Sequence, residues 1–307
     1  MLTTPMDVLK SFPVRKTKNQ KRSFREAVVS YARSQGYEAA VEEGSFGVRN
    51  VVIGNPETAS TLITAHYDTC ARLPFPNLIT PCSLMGFVGY QLLVTLAMLI
   101  PSVLLSRAAD ALLGGSWGHT VFLIVLWADV LLMLIGPANP SNANDNTSGV
   151  VTVLEILRTL PENLRSDTCF VLFDLEEAGL LGSAAYRKAH PKATDRQIVL
   201  NLDCVGEGDE LLFFPTKKLL KNKGKIAPLY AVCGYFGQKS LLVKDKGFAI
   251  YPSDQMTFPY GVGIAALCRR KKTLYLSRIH TPRDTCLDET NVNILRAALI
   301  TYLTRAV

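Results

Sequence analysis

The sequence lacks a paired-cysteine pattern, an apolar leader and any nucleic-acid-binding motif. Its seven cysteines are an odd number and include no C-x-x-C pair, which argues against a disulfide framework and favours a reducing compartment. The first 35 residues are polar and basic, unlike a secretory signal peptide. The net charge of +7 therefore predicts either an ordinary basic surface or contact with anionic lipid, and no nucleic-acid partner.

Charged residues are also missing between Arg72 and Arg107, and 48% of the chain is hydrophobic. Residues 82–105 form an apolar run that would span about 36 Å as a helix, and residues 120–136 form a second, shorter run. Asp129 would cost about 2.5–3.5 kcal/mol in the bilayer unless it is protonated, paired or facing a partner helix, and it therefore favours helix pairing with a second copy of the chain. We predict a transmembrane helical hairpin. The alternative is a hairpin buried in a soluble core, but the first run has no polar face.

Short apolar strands alternate with helices through the rest of the chain. This pattern predicts an α/β fold with a mostly parallel central sheet flanked by helices, formed by residues 1–73 and 139–307 around an insertion at 74–138. Ser23 is a plausible N-cap for a helix ending near Gly36. The predicted strands are a pair within 37–54, then 61–65, 168–175, 198–203, 263–267 and 273–276, and the predicted helices are 6–36, 149–160, 177–190 and 291–305.

Metal-binding side chains follow the predicted strands or precede a helix. Because ligands bind at the carboxyl ends of strands in open α/β sheets, we expect these side chains to meet at one edge. Two imidazoles and three carboxylates suit zinc or a related metal. The five candidate ligands are His66, Asp145, Glu177, Asp203 and His280.

This donor set is sufficient for two metal ions. If one carboxylate bridges, each ion receives one histidine, one terminal carboxylate and the shared one, with a position left for water. Of the adjacent pair Glu176 and Glu177, one can bind metal and the other can take the water proton. Asp68 can accept the second N–H of His66 and fix its tautomer. Each motif alone is weak, but the ordered set is hard to obtain as ordinary structure.

As a set, these motifs resemble those of the co-catalytic zinc aminopeptidases, whose relatives include glutamate carboxypeptidase and glutaminyl cyclase. The resemblance covers residue 20 to the end apart from 74–138. In one-letter code its motifs are HxD, D-N-x-S-G, E-E-x-G-L-x-G-S, N-x-D, S-D-x-x-x-F and I-H-T-x-x-D-T. The matching stretches are 66–68, 145–149, 176–183, 201–203, 253–258 and 279–285.

The resemblance implies a role for each candidate residue. His66 and Asp203 would hold one zinc ion, Glu177 and His280 the other, and Asp145 would bridge them. Glu176 would be the general base, and Asp68 would orient His66. Gln255 stands where many members have histidine, a change that we expect to affect substrate contacts. The implied activity is that of a zinc metallopeptidase with two zinc ions per chain, releasing the first residue of a peptide with a free N-terminus.

Three alternatives stay open at this point. The same scaffold supports glutaminyl cyclisation, for which relatives usually use one zinc ion, or carboxypeptidase action. A receptor or scaffold could also retain the fold without activity.

The insertion separates His66 from Asp145, which must meet at one metal site. The chain therefore has to leave and return on one side of the membrane, as two crossings do. We expect the hairpin to anchor the enzyme and to give access to apolar or membrane-associated peptides. Ten Lys and Arg residues lie in positions 1–81 and only Arg107 lies in 106–119, which predicts a cytoplasmic catalytic domain.

Overall fold

A computed structural model of the chain describes residues 2–73, 75, 77–114 and 116–306. The helices are α1 (Asp7–Ser11), α2 (Lys18–Ser34), α3 (Leu84–Leu113), α4 (Gly118–Ile135), α5 (Gly149–Thr159), α6 (Glu162–Arg165), α7 (Leu181–Ala189), α8 (Pro191–Thr194), α9 (Lys217–Lys221), α10 (Lys223–Tyr230) and α11 (Glu289–Ala306). The strands are β1 (Ala39–Glu43), β2 (Arg49–Ile53), β3 (Thr61–His66), β4 (Thr168–Phe173), β5 (Ile198–Leu202), β6 (Glu210–Pro215), β7 (Gly234–Phe236), β8 (Lys239–Val243), β9 (Gly261–Arg270) and β10 (Thr273–Tyr275).

The strands form one mixed sheet in the order β1-β2-β4-β3-β5-β9-β6-β8-β7, with β10 paired to β9. Its centre, β4-β3-β5-β9, is parallel. Antiparallel pairs lie on both sides, at β1-β2-β4 and at β9-β6, β9-β10 and β8-β7. The α/β class is confirmed, and parallel pairing is concentrated where the predicted site residues emerge.

Both faces of the central strands are buried, which explains their continuous apolar sequence. Alternate residues point to opposite faces, so that Ile63 of β3 packs in the main core with α2, α5 and α11. Its neighbour Leu62 packs in a second core with Tyr186 of α7 and Phe258. The sheet is thus held between helices on both sides.

Two predicted helix starts differ from the structure. The N-terminal helical region is two helices, and α2 begins at Lys18 rather than after Ser23. Thr17 accepts a hydrogen bond from the Gln20 backbone while the Gln20 side chain accepts one from Thr17, a capping box. The helix predicted from residue 177 begins only at Leu181, which leaves the glutamate pair in a loop.

The apolar runs form an antiparallel helical pair. Both α3 and α4 are long and apolar enough to cross a membrane, and only 6% of each apolar segment is buried inside the protein. The carboxylate of Asp110 accepts a hydrogen bond from the N–H of Gly118 at 2.7 Å, joining the distal ends of the pair. The predicted linker 106–119 is largely helical, since α3 continues to Leu113. Gly115 in that linker lies outside the described residues.

The hairpin leaves and re-enters the α/β domain at adjacent points. Ala71 and Ala138 form an antiparallel backbone pair. Beside it, the N–H of Arg72 donates to the carbonyl of Pro137 at 2.8 Å. Position 74, where the insertion is predicted to begin, lies outside the described residues. The adjacent ends agree with the expectation that the chain returns to the side from which it left.

Candidate metal centre

The five predicted ligands meet at the carboxyl end of the parallel strands. His66 ends β3, Asp203 follows β5, and Glu177 lies in the loop after β4. Asp145 lies in the helical turn Ala143–Ser148 that leads into α5, and His280 lies in the loop after β10. The convergence follows from the topology, because parallel neighbours present their carboxyl ends at the same edge.

Asp145 stands between two groups of donor atoms. Its Oδ1 lies 3.2 Å from Nε2 of His66, and that nitrogen lies 3.6 Å from Oδ1 of Asp203. Its Oδ2 lies 3.0 Å from Nε2 of His280, which lies 3.5 Å from Oε2 of Glu177. Each oxygen of one carboxylate thus faces its own histidine and its own second carboxylate, as required of a bridging ligand.

The turn that carries Asp145 is fixed by its own motif. The side chain of Asn146 donates to the carbonyl of Leu202 at 2.9 Å and accepts from the N–H of Gly149 at 3.0 Å. A Cβ at Gly149 would lie 2.3 Å from Oδ1 of Asn146 and 2.4 Å from the Leu202 carbonyl oxygen, so only glycine fits there. The peptide bond between Asp145 and Asn146 is cis.

Asp68 connects the first histidine to the glutamate loop. Its Oδ1 lies 3.4 Å from Nδ1 of His66, but that nitrogen makes no well-aligned hydrogen bond with any described residue. The N–H groups of Glu176 and Glu177 donate to the Asp68 carboxylate at 3.1 and 3.4 Å. One carboxylate therefore lies behind His66 and also holds the loop that carries both glutamates.

Mutual electrostatics shift the pKa values of these groups. Burial raises the pKa of Glu176 well above its usual range, and raises that of Glu177 to about 7. Burial opposes the charged form of His280, but the carboxylates of Glu177 and Asp145 outweigh it and raise its pKa to about 9. Burial likewise opposes the charge of Asp145, yet its close polar contacts with His280 and His66 hold its pKa below the usual range. A cation at the centre would favour the charged forms of these carboxylates.

The donor set fits zinc. Oδ1 of Asp145 and Oε1 of Glu177 are buried and have no hydrogen-bond partner among the described residues. Oxygens of this kind are stabilised by a cation, and imidazole with carboxylate is a common zinc donor set. The two groups of ligand atoms, His66 with Asp145 and Asp203, and Asp145 with Glu177 and His280, each lie within 4.8 Å.

Two further residues at the centre were not predicted. The carboxylate of Asp284 accepts hydrogen bonds from the N–H groups of Asn144 and Asp145 at 2.7 and 3.0 Å. Its position in the I-H-T-x-x-D-T motif was a signal that could have revealed it. The thiol of Cys70 lies within 4.8 Å of the second group of ligand atoms, and burial raises its pKa well above the usual range. No motif indicates this cysteine.

The expected effect of Gln255 on substrate contacts stays a prediction, and the structure places this residue beside the cavity rather than in its lining. Its side chain is 2% exposed and is not among the described residues that line the cavity beside the ligands. Gln255 donates to the carbonyl of Tyr251 at 2.6 Å, and Tyr251 lines that cavity. Its Oε1 also accepts from the side chain of Asn201 at 3.3 Å, so we expect any effect on the substrate to pass through Tyr251.

The ligands form one wall of a cavity of about 370 Å³, a size suited to a small ligand. Glu176 and all five predicted ligands line it. The described residues on its other sides are mainly apolar and come from positions 78–91, α4, and the loops at 251–252 and 279. An acidic, metal-binding wall thus faces an apolar one.

A mixed α/β sheet whose strand ends bring two histidines and three carboxylates together around a bridging aspartate defines a metal-dependent hydrolase. More particularly, the chain belongs to peptidase family M28, whose model matches residues 125–302. The matched segment contains Asp145, Glu176, Glu177, Asp203 and His280, whereas His66 and Asp68 precede it. The protein is accordingly a metallopeptidase by family, and zinc is the metal that the family implies.

Solved structures share the fold. Porphyromonas gingivalis glutaminyl cyclase superposes with a TM-score of 0.59 at 19% identity, over 97% of this chain and 94% of that chain. The Legionella pneumophila LapA aminopeptidase gives 0.57 at 13% identity, over 97% and 69%. A leucine aminopeptidase precursor from Bacteroides thetaiotaomicron gives 0.56 at 15% identity, over 95% and 92%. No curated protein sequence matches. At these identities the likeness shows the fold alone.

Proposed function

We propose that the protein is a membrane-anchored aminopeptidase that uses two zinc ions to hydrolyse the first peptide bond of peptides with a free N-terminus. The observation that carries this proposal is the position of Asp145, whose two oxygens face two separate donor groups at 3.2 and 3.0 Å. His66 and Asp203 would hold one ion, Glu177 and His280 the other. When bound, the ions lower the pKa of water at the site and polarise the peptide carbonyl.

The chain's own residues supply the proton transfer and the alignment. Glu176 lines the cavity, and a carboxylate oxygen of Glu176 lies within 4.8 Å of ligand atoms of His66 and Glu177. From there it can accept the proton of the attacking water and return it to the leaving amine. Asp68 fixes the backbone of Glu176 and lies behind His66, so it is a positioning residue.

The test combines zinc content with activity. We expect two zinc ions per chain in the purified protein, and hydrolysis of leucyl peptides that stops when their N-terminus is acetylated. Glu176→Gln should retain both ions and lose activity about 10²- to 10⁴-fold, because the proton acceptor is removed. One zinc ion per chain together with cyclisation of N-terminal glutamine would instead identify a glutaminyl cyclase. A fully active Glu176→Gln variant would contradict the assigned base.

Anchoring is supported by the exposed apolar surface of α3 and α4. The Nζ of Lys16 donates to the carbonyl of Leu134 at 3.2 Å, which places a cation at the end of α4 beside the catalytic domain. Arg72 lies near the same end, whereas the distal end has Arg107 beside Asp110. Because cytoplasmic loops carry the excess of Lys and Arg, we propose a cytoplasmic catalytic domain.

Orientation can be measured directly. In intact cells, an impermeant maleimide should label a cysteine introduced at Ser116 in the distal turn, but not the native partly exposed Cys268 of the catalytic domain. The reverse labelling would place the catalytic domain outside.

A further inference from the structure

The cavity beside the metal ligands is walled in part by the membrane hairpin. Phe87, Tyr90 and Gln91 of α3 and Leu134 of α4 line it, together with Leu78 and Ile79 from the segment that leads into α3. These side chains line the same cavity as the predicted zinc ligands. The hairpin therefore contributes surface to the space in which a substrate must lie.

This wall is fastened to the α/β domain at several points. The ring of Phe87 lies 6.2 Å from that of Phe248, and Ile79 pairs through its backbone with Leu276. The N–H of Ile250 donates to the carbonyl of Pro81 at 2.9 Å. Lys16 holds the end of α4 through Leu134. The base of the hairpin is thus a fixed part of the site rather than a loose tether.

Helix lengths place the wall at the boundary of the bilayer. The 18 residues of α4 rise about 27 Å, close to the roughly 30 Å of the hydrocarbon core. Asp110 and Gly118 lie at the same level because they are hydrogen-bonded. A rise of about 27 Å, measured from Asp110 back along α3, therefore ends near position 93. By this estimate Gln91 lies at the catalytic-side edge of the hydrocarbon, and Tyr90 and Phe87 lie at or just beyond it. Tyrosine is enriched at this interfacial depth.

We propose that the base of the hairpin forms the subsite for the substrate's first side chain, with Phe87 as its main determinant of specificity. The subsite takes large apolar residues, because Leu78, Ile79 and Leu134 line the same cavity as Phe87. Its place at the edge of the bilayer suits polypeptides whose free N-terminus lies on the membrane surface. This inference rests on the proposed aminopeptidase function, and adds the substrate class.

The first test compares Phe87→Ala with Val88→Ala in full-length protein in lipid nanodiscs. Val88 is the adjacent residue of α3, is 53% exposed and is not among the described residues lining the cavity. Phe87→Ala should lower kcat/KM for a leucyl peptide about 10-fold relative to a glycyl peptide, mainly through KM. Val88→Ala should leave the ratio of the two kcat/KM values unchanged. Phe87→Leu should retain most of the preference for the leucyl peptide. Equal losses on both peptides in Phe87→Ala, with unchanged zinc content, would overturn the proposal.

A binding measurement separates this inference from the proposed function. Leucine hydroxamate and glycine hydroxamate bind zinc through the same group and differ in their side chains. The preference for the leucine compound should fall about 10-fold in Phe87→Ala by calorimetry. If this occurs while no peptide is hydrolysed, the subsite stands and the aminopeptidase function fails. An unchanged preference overturns the subsite.

The membrane-surface claim has its own test. Leucyl peptides are tethered by their C-termini to lipid in proteoliposomes, through spacers of about 2 or about 15 residues. A site that opens at the bilayer surface should hydrolyse both peptides at comparable rates. Hydrolysis of the long-spacer peptide alone would mean that the site opens away from the surface, and would overturn this part of the proposal.

Discussion

At the scale of single residues, Asp284 connects the loop of His280 with the turn that carries Asp145. It lies four positions after His280 and accepts both N–H groups of the turn that carries Asp145. Burial raises the pKa of Asp284 to about 7. Its loss would leave two buried donors unpaired, at about 1–3 kcal/mol each.

We therefore expect Asp284→Ala to lose zinc and to melt at a lower temperature, while Asp284→Asn keeps one acceptor oxygen and retains more zinc. Metal analysis and thermal denaturation measure both effects. Asp195→Ala, at an exposed carboxylate far from the ligands, is the control. Full zinc occupancy with unchanged melting in Asp284→Ala would show that the turn is held by other contacts.

At the scale of elements, Arg15 fastens the N-terminal segment to two loops of the site. Its fully buried guanidinium donates to the carbonyl of Tyr67 at 2.5 Å and to Oγ1 of Thr147 at 3.0 Å, and lies over the ring of Phe24. Its backbone N–H donates to Oγ1 of Thr69 at 2.9 Å. Burial lowers the pKa of Arg15 to about 10, so it stays charged at neutral pH.

Removing this side chain should destabilise the whole domain. We expect Arg15→Met to lower the free energy of unfolding by about 2–4 kcal/mol, because buried acceptors lose their donors. Arg15→Lys should recover little, since an ammonium cannot reproduce the planar fork. Arg22→Met removes an exposed arginine whose ion pair, among the described residues, is with Glu26, and it should cost under about 1 kcal/mol. Equal effects of Arg15→Met and Arg22→Met in urea unfolding would contradict this role.

The hairpin leaves and re-enters the α/β domain at adjacent residues, so it can be excised at those points. Because Ala71 pairs with Ala138 and Arg72 with Pro137, an Asn-Gly turn can replace residues 73–136. The shortened chain retains every predicted ligand, so it should bind zinc and move to the soluble fraction without detergent. The full-length chain, fractionated in parallel, is the control. Retention of the shortened chain with membranes would show that another surface binds lipid.

Sequence patterns predicted the elements well where local signals were strong. The buried strands were visible as apolar runs, and the strand-end positions of the ligands followed from them. The start of α2 was missed although the Thr17–Gln20 capping box was present in the sequence. The late start of α7 depends on Gly179 and Leu180 in left-handed conformations, and on the distant Asp68 carboxylate that holds the glutamate loop. Such non-local contacts leave no periodic pattern.

The apolar wall of the cavity was equally inaccessible to sequence reasoning. The length and hydropathy of α3 indicated a membrane span, but not that its first two turns face the metal ligands. That fact depends on the antiparallel edges of the sheet, where Leu276 after β10 pairs with Ile79 and brings the base of α3 over the site. The predicted motifs therefore identified the residues of the metal-binding wall but not those of the apolar wall.

At the scale of the whole molecule, the metal centre is where the most distant parts of the chain meet. Its predicted ligands span positions 66 to 280, and six carboxylates lie in or beside it: Asp68, Asp145, Glu176, Glu177, Asp203 and Asp284. The two histidines and the nearby cations of Arg15 and Lys16 offset only part of this charge. Zinc should therefore contribute strongly to folding stability as well as to catalysis.

Removal of zinc should accordingly destabilise the protein globally. Binding at a thousandfold excess over Kd contributes about 4 kcal/mol per site, so a chelator should lower Tm by about 10 °C or more. Zinc added back should restore Tm in the wild type. His280→Ala should regain roughly half of the increase, because the group at His66 remains, whereas Asp145→Ala should regain almost none, since both groups lose their shared ligand. The recovery of Tm is measured by calorimetry at fixed free zinc. Equal recovery in the two variants would show that Asp145 does not bridge two ions.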